Sequence, residues 1–228
     1  MSKIRIAIIV ICLAFATGRL QAQEDPEYRF EVGVGAGATG YLGDFNGNLT
    51  KDLQPMGAIM GRYVINPWMA VRASLSYGKM KGSSADNETW YPQYEDRTYS
   101  FDNNLYDLSF TYEYNFWPYG TGWDYRGSKR ITPFVFAGMG IAYCDTPEKG
   151  RTAFNVPLGV GLKYKIGERV NLGVEWAMHF TTSDWLDGVK DPYSISSSGT
   201  FKNTDCFTQL MVTLSYSFSP RCLNCNRE

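Results

Sequence analysis

The chain has 228 residues, of which 44% are hydrophobic, 20% charged and 15% aromatic. This length favours one domain or two small ones, and the high aromatic content excludes a disordered or collagen-like chain. A mean hydropathy of −0.29 and the lack of any apolar run of 18 residues exclude an ordinary helical membrane protein. The formal net charge is −1, so the chain lacks the basic excess that nucleic-acid binding needs.

The first 22 residues have the pattern of a signal peptide. Lys3 and Arg5 form a positive start, Ile6 to Ala16 form an apolar core, and Leu20-Gln21-Ala22 offers a small-residue cleavage site. The apolar core is too short to cross a bilayer. Removing residues 1–22 takes away three basic side chains and no acidic one, so a mature chain would carry a net charge near −4.

From residue 28 onward, apolar side chains recur at every second position, which is typical of β-strands. Eight runs of this kind follow one another, and most contain about ten residues, the length that a tilted strand needs to cross a bilayer. The runs are 28–39, 57–65, 68–78, 107–116, 132–143, 156–166, 170–180 and 209–218. The run 132–143 is apolar at both its odd and its even positions, so the sequence does not show which of its side chains face the interior.

The connections between these runs alternate in length. Residues 66–67 and 167–169 form tight turns, whereas the long polar connections are 40–54, 79–100, 144–153 and 181–205. Short inner turns and long outer loops are typical of bacterial outer-membrane barrels, although the inner connection 118–131 is unusually long. A soluble sandwich or lipocalin-like barrel would show the same alternation. The signal peptide and the loop lengths favour the membrane barrel.

We therefore predict an all-β fold: an eight-stranded antiparallel transmembrane β-barrel of the outer membrane. It would span residues 23–219, as a monomer, with a periplasmic tail at 220–228. The polar phase would face inward and carry Arg29, Arg62, Arg72, Lys163 and Lys165 with Glu31, Asp107, Glu113 and Glu175. Eight strands leave room for side chains but no wide pore, so we do not expect a diffusion channel.

Aromatic side chains near the inner end of the strands predict an interfacial girdle. Its predicted members are Tyr28, Tyr63, Trp68, Phe116, Trp117, Phe134, Tyr164, Tyr216 and Phe218. The glycines of Gly33-x-Gly35-x-Gly37 repeat with the period of a strand, so they do not form a phosphate loop. We expect them to make space for larger interior neighbours.

Candidate catalytic residues are few. His179 is the only histidine, and Ser183 and Asp184 follow it, which raises the alternative of a lipid-modifying enzyme. Such catalysis needs a base within hydrogen-bond reach of its nucleophile and an orienting group, and the spacing does not demonstrate this. We expect no enzyme activity. No cluster has metal-ligand spacing, so we expect no metal or cofactor.

Four cysteines follow the signal peptide. Cys144 and Cys206 map to the outer rim and could form an extracellular disulfide. Cys222 and Cys225 lie in the tail, on the oxidising periplasmic side, where a thiol pair tends to close or to bond a partner. The tail is therefore a strained loop or inert segment, a tether to a periplasmic protein, or a metal-binding pair.

Two short motifs and the cysteine-bearing tail carry a resemblance. Tyr41-Leu42-Gly43-Asp44 and the run Thr181–Gly188 resemble a family of Bacteroidetes outer-membrane barrels that includes the PorG component of the type IX secretion system. The resemblance implies a structural role, in which the barrel anchors a periplasmic ring or lipoprotein components of the export apparatus. It also implies that Cys222, Cys225 and the long inner turn, with Trp123 and Tyr125, face those partners. The family leads us to expect one tail cysteine followed by proline, so which of the two is the tether stays open.

A surface-binding barrel is the main alternative to the anchor. The outer loop 79–100 contains Trp90, Tyr91, Tyr94 and Tyr99, enough aromatic side chains for a contact surface. Together with loop 181–205 it could bind host, matrix or lipid. Both alternatives place the chain in the outer membrane, in contact with its lipid.

Overall fold

The computed structural model describes residues 28–42, 52–83, 100–120, 128–145, 150–182 and 205–220. These residues form eight strands: β1 Tyr28–Leu42, β2 Gln54–Asn66, β3 Met69–Ser83, β4 Ser100–Asn115, β5 Ile131–Asp145, β6 Arg151–Lys165, β7 Val170–Thr181 and β8 Cys206–Pro220. Each strand pairs antiparallel with the next, and β1 pairs with β8 to close the barrel. The predicted eight-stranded antiparallel barrel is confirmed.

The wall of the barrel is apolar on its outer face and mostly polar on its inner face. Val32 and Val34 on β1 are more than half exposed, whereas Glu31, the residue before Val32, is buried. The same alternation along the other strands places the nine predicted charged side chains on the inward phase. An apolar exterior around a polar interior is the arrangement of a barrel that spans a membrane. No helix among the described residues is long and apolar enough to do so.

The strands are longer than predicted. They contain 12 to 16 residues, because they continue into the segments predicted as outer loops. In these extensions the two faces change character: Phe101 and Leu105 are buried inside, while Lys79, Lys81 and Asp102 are exposed outside. An apolar inside and a charged outside suit water rather than hydrocarbon. The period-two alternation therefore continues in these extensions, but apolar side chains now face inward and charged ones outward. A prediction based on apolar outward residues therefore ends the strands too early.

The predicted inner girdle is present except for one member. Phe30 packs against Tyr63 with ring centroids 5.1 Å apart and against Phe218 at 5.9 Å, on the outer face near the short turns. The prediction places Phe134 with them, but this residue lies inside the barrel and is 2% exposed. This prediction was wrong because run 132–143 is apolar in both phases. Pairing with β6 decides its facing, since Phe134 stands opposite Gly161, which leaves room for the ring.

A second group of outward aromatic residues lies towards the long loops. Tyr77, Tyr106 and Tyr143 form a row across β3, β4 and β5, with ring centroids 4.9 and 6.2 Å apart. The two aromatic levels bracket the apolar belt, as interfacial aromatic side chains do in membrane barrels. The outer level is missing from the sequence prediction, which named aromatic side chains only at the inner end of the strands.

Candidate functional site

The barrel interior is held together by a connected set of ion pairs around Glu113. This carboxylate is fully buried, and it accepts hydrogen bonds from Lys163 Nζ at 2.6 Å and Arg62 Nη2 at 3.3 Å. Arg72 Nε lies 3.2 Å from it. Because β2, β3 and β6 each send one cation to this single acid on β4, Glu113 ties together strands from both sides of the barrel.

Two further carboxylates complete the set. Arg62 donates to Glu31 at 2.6 Å, and Arg72 pairs with Glu175. The set contains three cations and three carboxylates, so its charges balance inside the wall. A buried charge is tolerated when it is paired and hydrogen-bonded, and the predicted interlocking of interior charges is confirmed for these side chains.

Two phenylalanines stack against the cations of the set. Arg72 lies over the Phe136 ring at 4.7 Å, and Lys163 lies over the Phe134 ring at 4.2 Å. A cation over an aromatic face is attracted by the ring quadrupole. The two rings therefore fill interior space and stabilise charges at the same time. No sequence signal indicated this role, since the facing of β5 was undecided.

Interior glycines make room for bulky neighbours, as predicted. A side chain added at Gly33 would lie 2.8 Å from the end of Met60, and one added at Gly35 would overlap the sulfur of Met211. The two methionines thus occupy the space that the glycines leave. Together with the ion pairs, they fill the middle of the barrel.

The remaining interior space is small. Two cavities among the described interior residues have volumes of about 30 Å³ and 20 Å³, enough for one or a few water molecules each. One lies towards the short turns, beside Tyr119 and Lys165, and the other lies beside His179 and Gln209. Each of these two cavities can hold water molecules but is too small for a larger solute.

We expect the purified barrel to show no steady conductance steps in a planar lipid bilayer. The ion pairs around Glu113 occupy the cross-section that an aqueous channel would need. A general porin measured in the same bilayer serves as the positive control. Regular steps that vanish when the protein is heat-denatured before insertion would contradict this expectation.

His179 lies between the ion pairs and the long-loop end of the barrel, and it is 2% exposed. Its ring stacks on Phe207 at a centroid distance of 4.3 Å. Its Nδ1 lies 3.3 Å from Asn155 Oδ1 and 3.8 Å from Asp107, and Asn155 donates to Asp107 at 2.7 Å. The histidine thus takes part in a packed polar layer, and these contacts give the hydrolase alternative no support.

An apolar cap, defined here as Tyr41, Met80, Phe101, Leu105, Ala142, Cys144, Ala153 and Phe207, fills the interior at the loop end. These side chains are at most 7% exposed. The Tyr41 hydroxyl donates to Asp205 at 2.6 Å. The cap is absent from the sequence-based prediction, although Phe101 and Leu105 continue the inward phase of β4 and could have indicated it.

The opposite end of the barrel is closed by the start of the long β4–β5 connection. Tyr119 reaches inward, is 8% exposed and donates its hydroxyl to Asn171 at 2.9 Å. Burial raises the pKa of the Tyr119 phenol above its ordinary value, so the hydroxyl stays a proton donor. Its backbone NH donates to the carbonyl of Pro67 at 3.0 Å. This connection is therefore fixed across the barrel end.

The end of the same connection is fixed as well. The NH of Lys129 donates to the carbonyl of Pro118 at 2.9 Å, and the NH of Lys165 donates to the carbonyl of Arg130 at 2.7 Å. Lys129 Nζ lies over the Trp117 ring at 4.3 Å. Both described parts of the predicted long inner turn are thus held by hydrogen bonds at the short-turn end of the barrel, which gives this end a defined surface.

Cys144 and Cys206 lie on opposite faces of the wall, and the structure has both as thiols. Cys144 points inward from β5 into the apolar cap, while Cys206 begins β8 on the outward phase. Two strands separate β5 from β8 in one direction around the barrel, and four strands separate them in the other. This geometry does not support the predicted disulfide, because bridged cysteines need side chains that point towards each other.

Several predicted residues lie outside the described ranges. They are Cys222 and Cys225 of the tail, Trp123 and Tyr125 of the inner connection, Ser183 and Asp184 after His179, Trp90, Tyr91, Tyr94 and Tyr99 of the outer loop, and the signal peptide at 1–22. Within the described ranges, no group of three or more His, Cys, Asp or Glu side chains could hold a metal ion.

Residues 4–227 match a family described as a domain of unknown function, DUF6089. The chain belongs to the DUF6089 family. The match covers all eight strands, both ends of the barrel and most of the tail. No curated protein matches the sequence.

Several solved structures are similar to the barrel at low identity. Ail of Yersinia pestis, crystallised with the heparin analogue sucrose octasulfate, is 10% identical with a TM-score of 0.47, over 84% of this chain and 99% of Ail. Neisserial surface protein A is 18% identical with a TM-score of 0.46, over 83% and 97%. A major outer membrane protein from Thermus thermophilus is 12% identical with a TM-score of 0.48, over 83% and 99%. Identities this low transfer no function to the DUF6089 chain.

Proposed function

We propose that this DUF6089 protein is a non-enzymatic barrel of the outer membrane that anchors a periplasmic ring complex of the type IX secretion system. Its location follows from the wall, whose outward side chains form an apolar belt between two aromatic levels. A soluble protein rarely exposes an apolar surface of this extent. The short turns then lie on the periplasmic side and the long loops outside the cell.

The main support for the anchoring role is the periplasmic end of the barrel, where the β4–β5 connection is held by hydrogen bonds. Tyr119, Lys129 and Arg130 fix the β4–β5 connection to the barrel through the hydrogen bonds described above. A filled interior suits a structural part rather than a conduit, and a fixed surface suits a lasting protein contact. The tail with Cys222 and Cys225 follows β8 at this same end, where an oxidising compartment allows a covalent tether.

The link to the type IX system comes from the resemblance of Tyr41–Asp44, Thr181–Gly188 and the tail to the PorG-containing family. This finer assignment also names the partners, which would be ring or lipoprotein components. The two tail cysteines leave two candidates for the tether, and the inner connection with Trp123 and Tyr125 would supply the non-covalent part of the contact.

The tether is tested by affinity capture of the tagged full chain from native membranes, with and without reductant. We expect the wild type to carry a periplasmic protein in a reductant-sensitive adduct, and Cys222→Ser with Cys225→Ser to lose it. The single variants then show which thiol is used. Cys144→Ser is the matched control, since Cys144 is buried inside the barrel and cannot reach a partner.

Two results would contradict the proposal at different levels. If the double serine variant keeps every periplasmic partner and secretion stays intact, the covalent tether is wrong. If Trp123→Ala with Tyr125→Ala in that background also changes neither, the anchoring role is wrong. The barrel would then need a role at its outer loops, which deletion of residues 84–99 would reveal as a loss of surface binding.

A further inference from the structure

A groove of about 730 Å³ crosses the lipid-facing wall, within the usual volume range of small-molecule sites. Two adjacent rows of outward side chains, which run from strand to strand, line it. One row contains Tyr63 and Tyr112, and the other contains Gly61, Ala73 and Phe110. The lining is almost wholly apolar, so the groove suits hydrocarbon.

The floor of the groove is made by small residues. Gly61 pairs with Ala73 on the neighbouring strand, and a side chain added at Gly61 would find no atom within 4 Å. Aromatic rings of Tyr63, Tyr112 and Phe110 stand beside this gap. The depression therefore forms where Gly61 has no side chain between the large side chains around it.

The groove crosses the strands, so the tilt of the strands in a barrel inclines its path to the membrane plane. Its lining includes Phe218 on β8, Phe30 on β1 and Met139 on β5. Four strand spacings separate Phe30 from Met139, about 19 Å at the usual strand separation. An inclined path of this length is comparable with one leaflet of hydrocarbon, about 15 Å deep.

One arginine outside the lining is bonded to a tyrosine at the periplasmic end of the groove. Arg29 belongs to the inward phase of β1 at the start of the strand, but its Nη1 donates at 3.5 Å to the hydroxyl of Tyr63, which lines the groove. Arginine is well suited to phosphate because its guanidinium can donate two parallel hydrogen bonds.

We propose that this groove is a phospholipid site, in which one acyl chain of an inner-leaflet lipid lies over Gly61 and Ala73 and the phosphate lies against Arg29. Hydrophobicity alone does not favour the groove over the surrounding lipid, because lipid tails are equally apolar. Close packing between the aromatic walls and the charge at the phosphate end supply the preference. This proposal depends on the location of the barrel in the outer membrane, but it does not depend on the role in secretion.

The test uses the purified full chain in detergent, with native mass spectrometry to count bound 1-palmitoyl-2-oleoyl-phosphatidylglycerol. We expect the wild type to retain one molecule, and Gly61→Leu to lose it by filling the groove. Gly57→Leu is the matched control. Gly57 also lies on the outward phase of β2 with open space around an added side chain, but it does not line the groove.

The phosphate end is tested separately with the matching diacylglycerol. We expect the wild type to prefer the phospholipid, and Arg29→Gln to reduce that preference by about tenfold, the effect of one charge-assisted hydrogen bond. If Gly61→Leu fails to fold, as judged by circular dichroism, Ala73→Leu fills the same groove. Unchanged retention in the filled variant, or equal loss in Gly57→Leu, would overturn the proposal. Secretion assays do not enter this test, so the anchoring role can fail without affecting it.

Discussion

Glu113→Gln should lower the free energy of unfolding by about 3–5 kcal/mol, the usual cost of removing one partner from a buried ion pair. Glu113 is fully buried and meets Arg62, Arg72 and Lys163. The glutamine keeps the shape of the side chain but leaves three cations with two carboxylates. Urea unfolding of the purified barrel in lipid vesicles, followed by tryptophan fluorescence, measures the change.

Two controls separate the charge effect from a general loss of packing. Asp102→Asn removes an exposed acid that pairs with Lys81 at 3.2 Å, and such surface pairs contribute only about 0–1 kcal/mol. Glu113→Gln combined with Lys163→Met also removes one surplus cation, so it should be more stable than Glu113→Gln alone. If Glu113→Gln costs no more than Asp102→Asn, the ion pairs do not hold the barrel together.

Phe207→Ala should lower the free energy of unfolding by about 3–5 kcal/mol, the usual cost of truncating a buried phenylalanine. Its ring is fully buried in the apolar cap and stacks on His179. The truncation also opens a cavity beside the interior at the loop end. We therefore expect faster modification of Cys144, which belongs to the same cap, by a water-soluble maleimide.

The modification is measured with Cys206, Cys222 and Cys225 replaced by serine, so that the signal reports Cys144. Phe154→Ala is the matched control, because Phe154 is 45% exposed on the outer face of β6, the strand that pairs with the β5 strand of Cys144. Its truncation leaves every member of the apolar cap in place, so the maleimide rate should stay at the wild-type value. Equal maleimide rates in the two variants would show that the cap does not protect the interior.

The sequence determined the number of strands, their antiparallel order and the facing of most side chains. Alternation with a period of two is a local property of each strand, so Glu31, Glu113 and Lys163 could be assigned to the interior without knowing their neighbours. The lengths of the connections then predicted which end of the barrel faces the periplasm. The glycines on β1 indicated that larger interior neighbours would fill the space beside them.

The facing of β5 and the extent of the strands could not be read in this way. A strand that is apolar in both phases has no alternation to follow, and Phe134 was placed on the wrong face for this reason. The outer extensions escaped notice because their polarity inverts where the wall leaves the hydrocarbon. Pairing with Gly161 and the burial of Phe101 resolve these two points.

The candidate sites also differ in whether the sequence alone could indicate them. The tail cysteines and the long inner connection are visible in the sequence because they are contiguous. The ion pairs at Glu113, the apolar cap and the groove at Gly61 combine residues from strands far apart in the chain, and only the register of the closed barrel brings them together. Sequence alone thus determined which side chains face inward or outward, while the tertiary structure decided which of them meet, because contact depends on pairing across strands rather than on spacing along one.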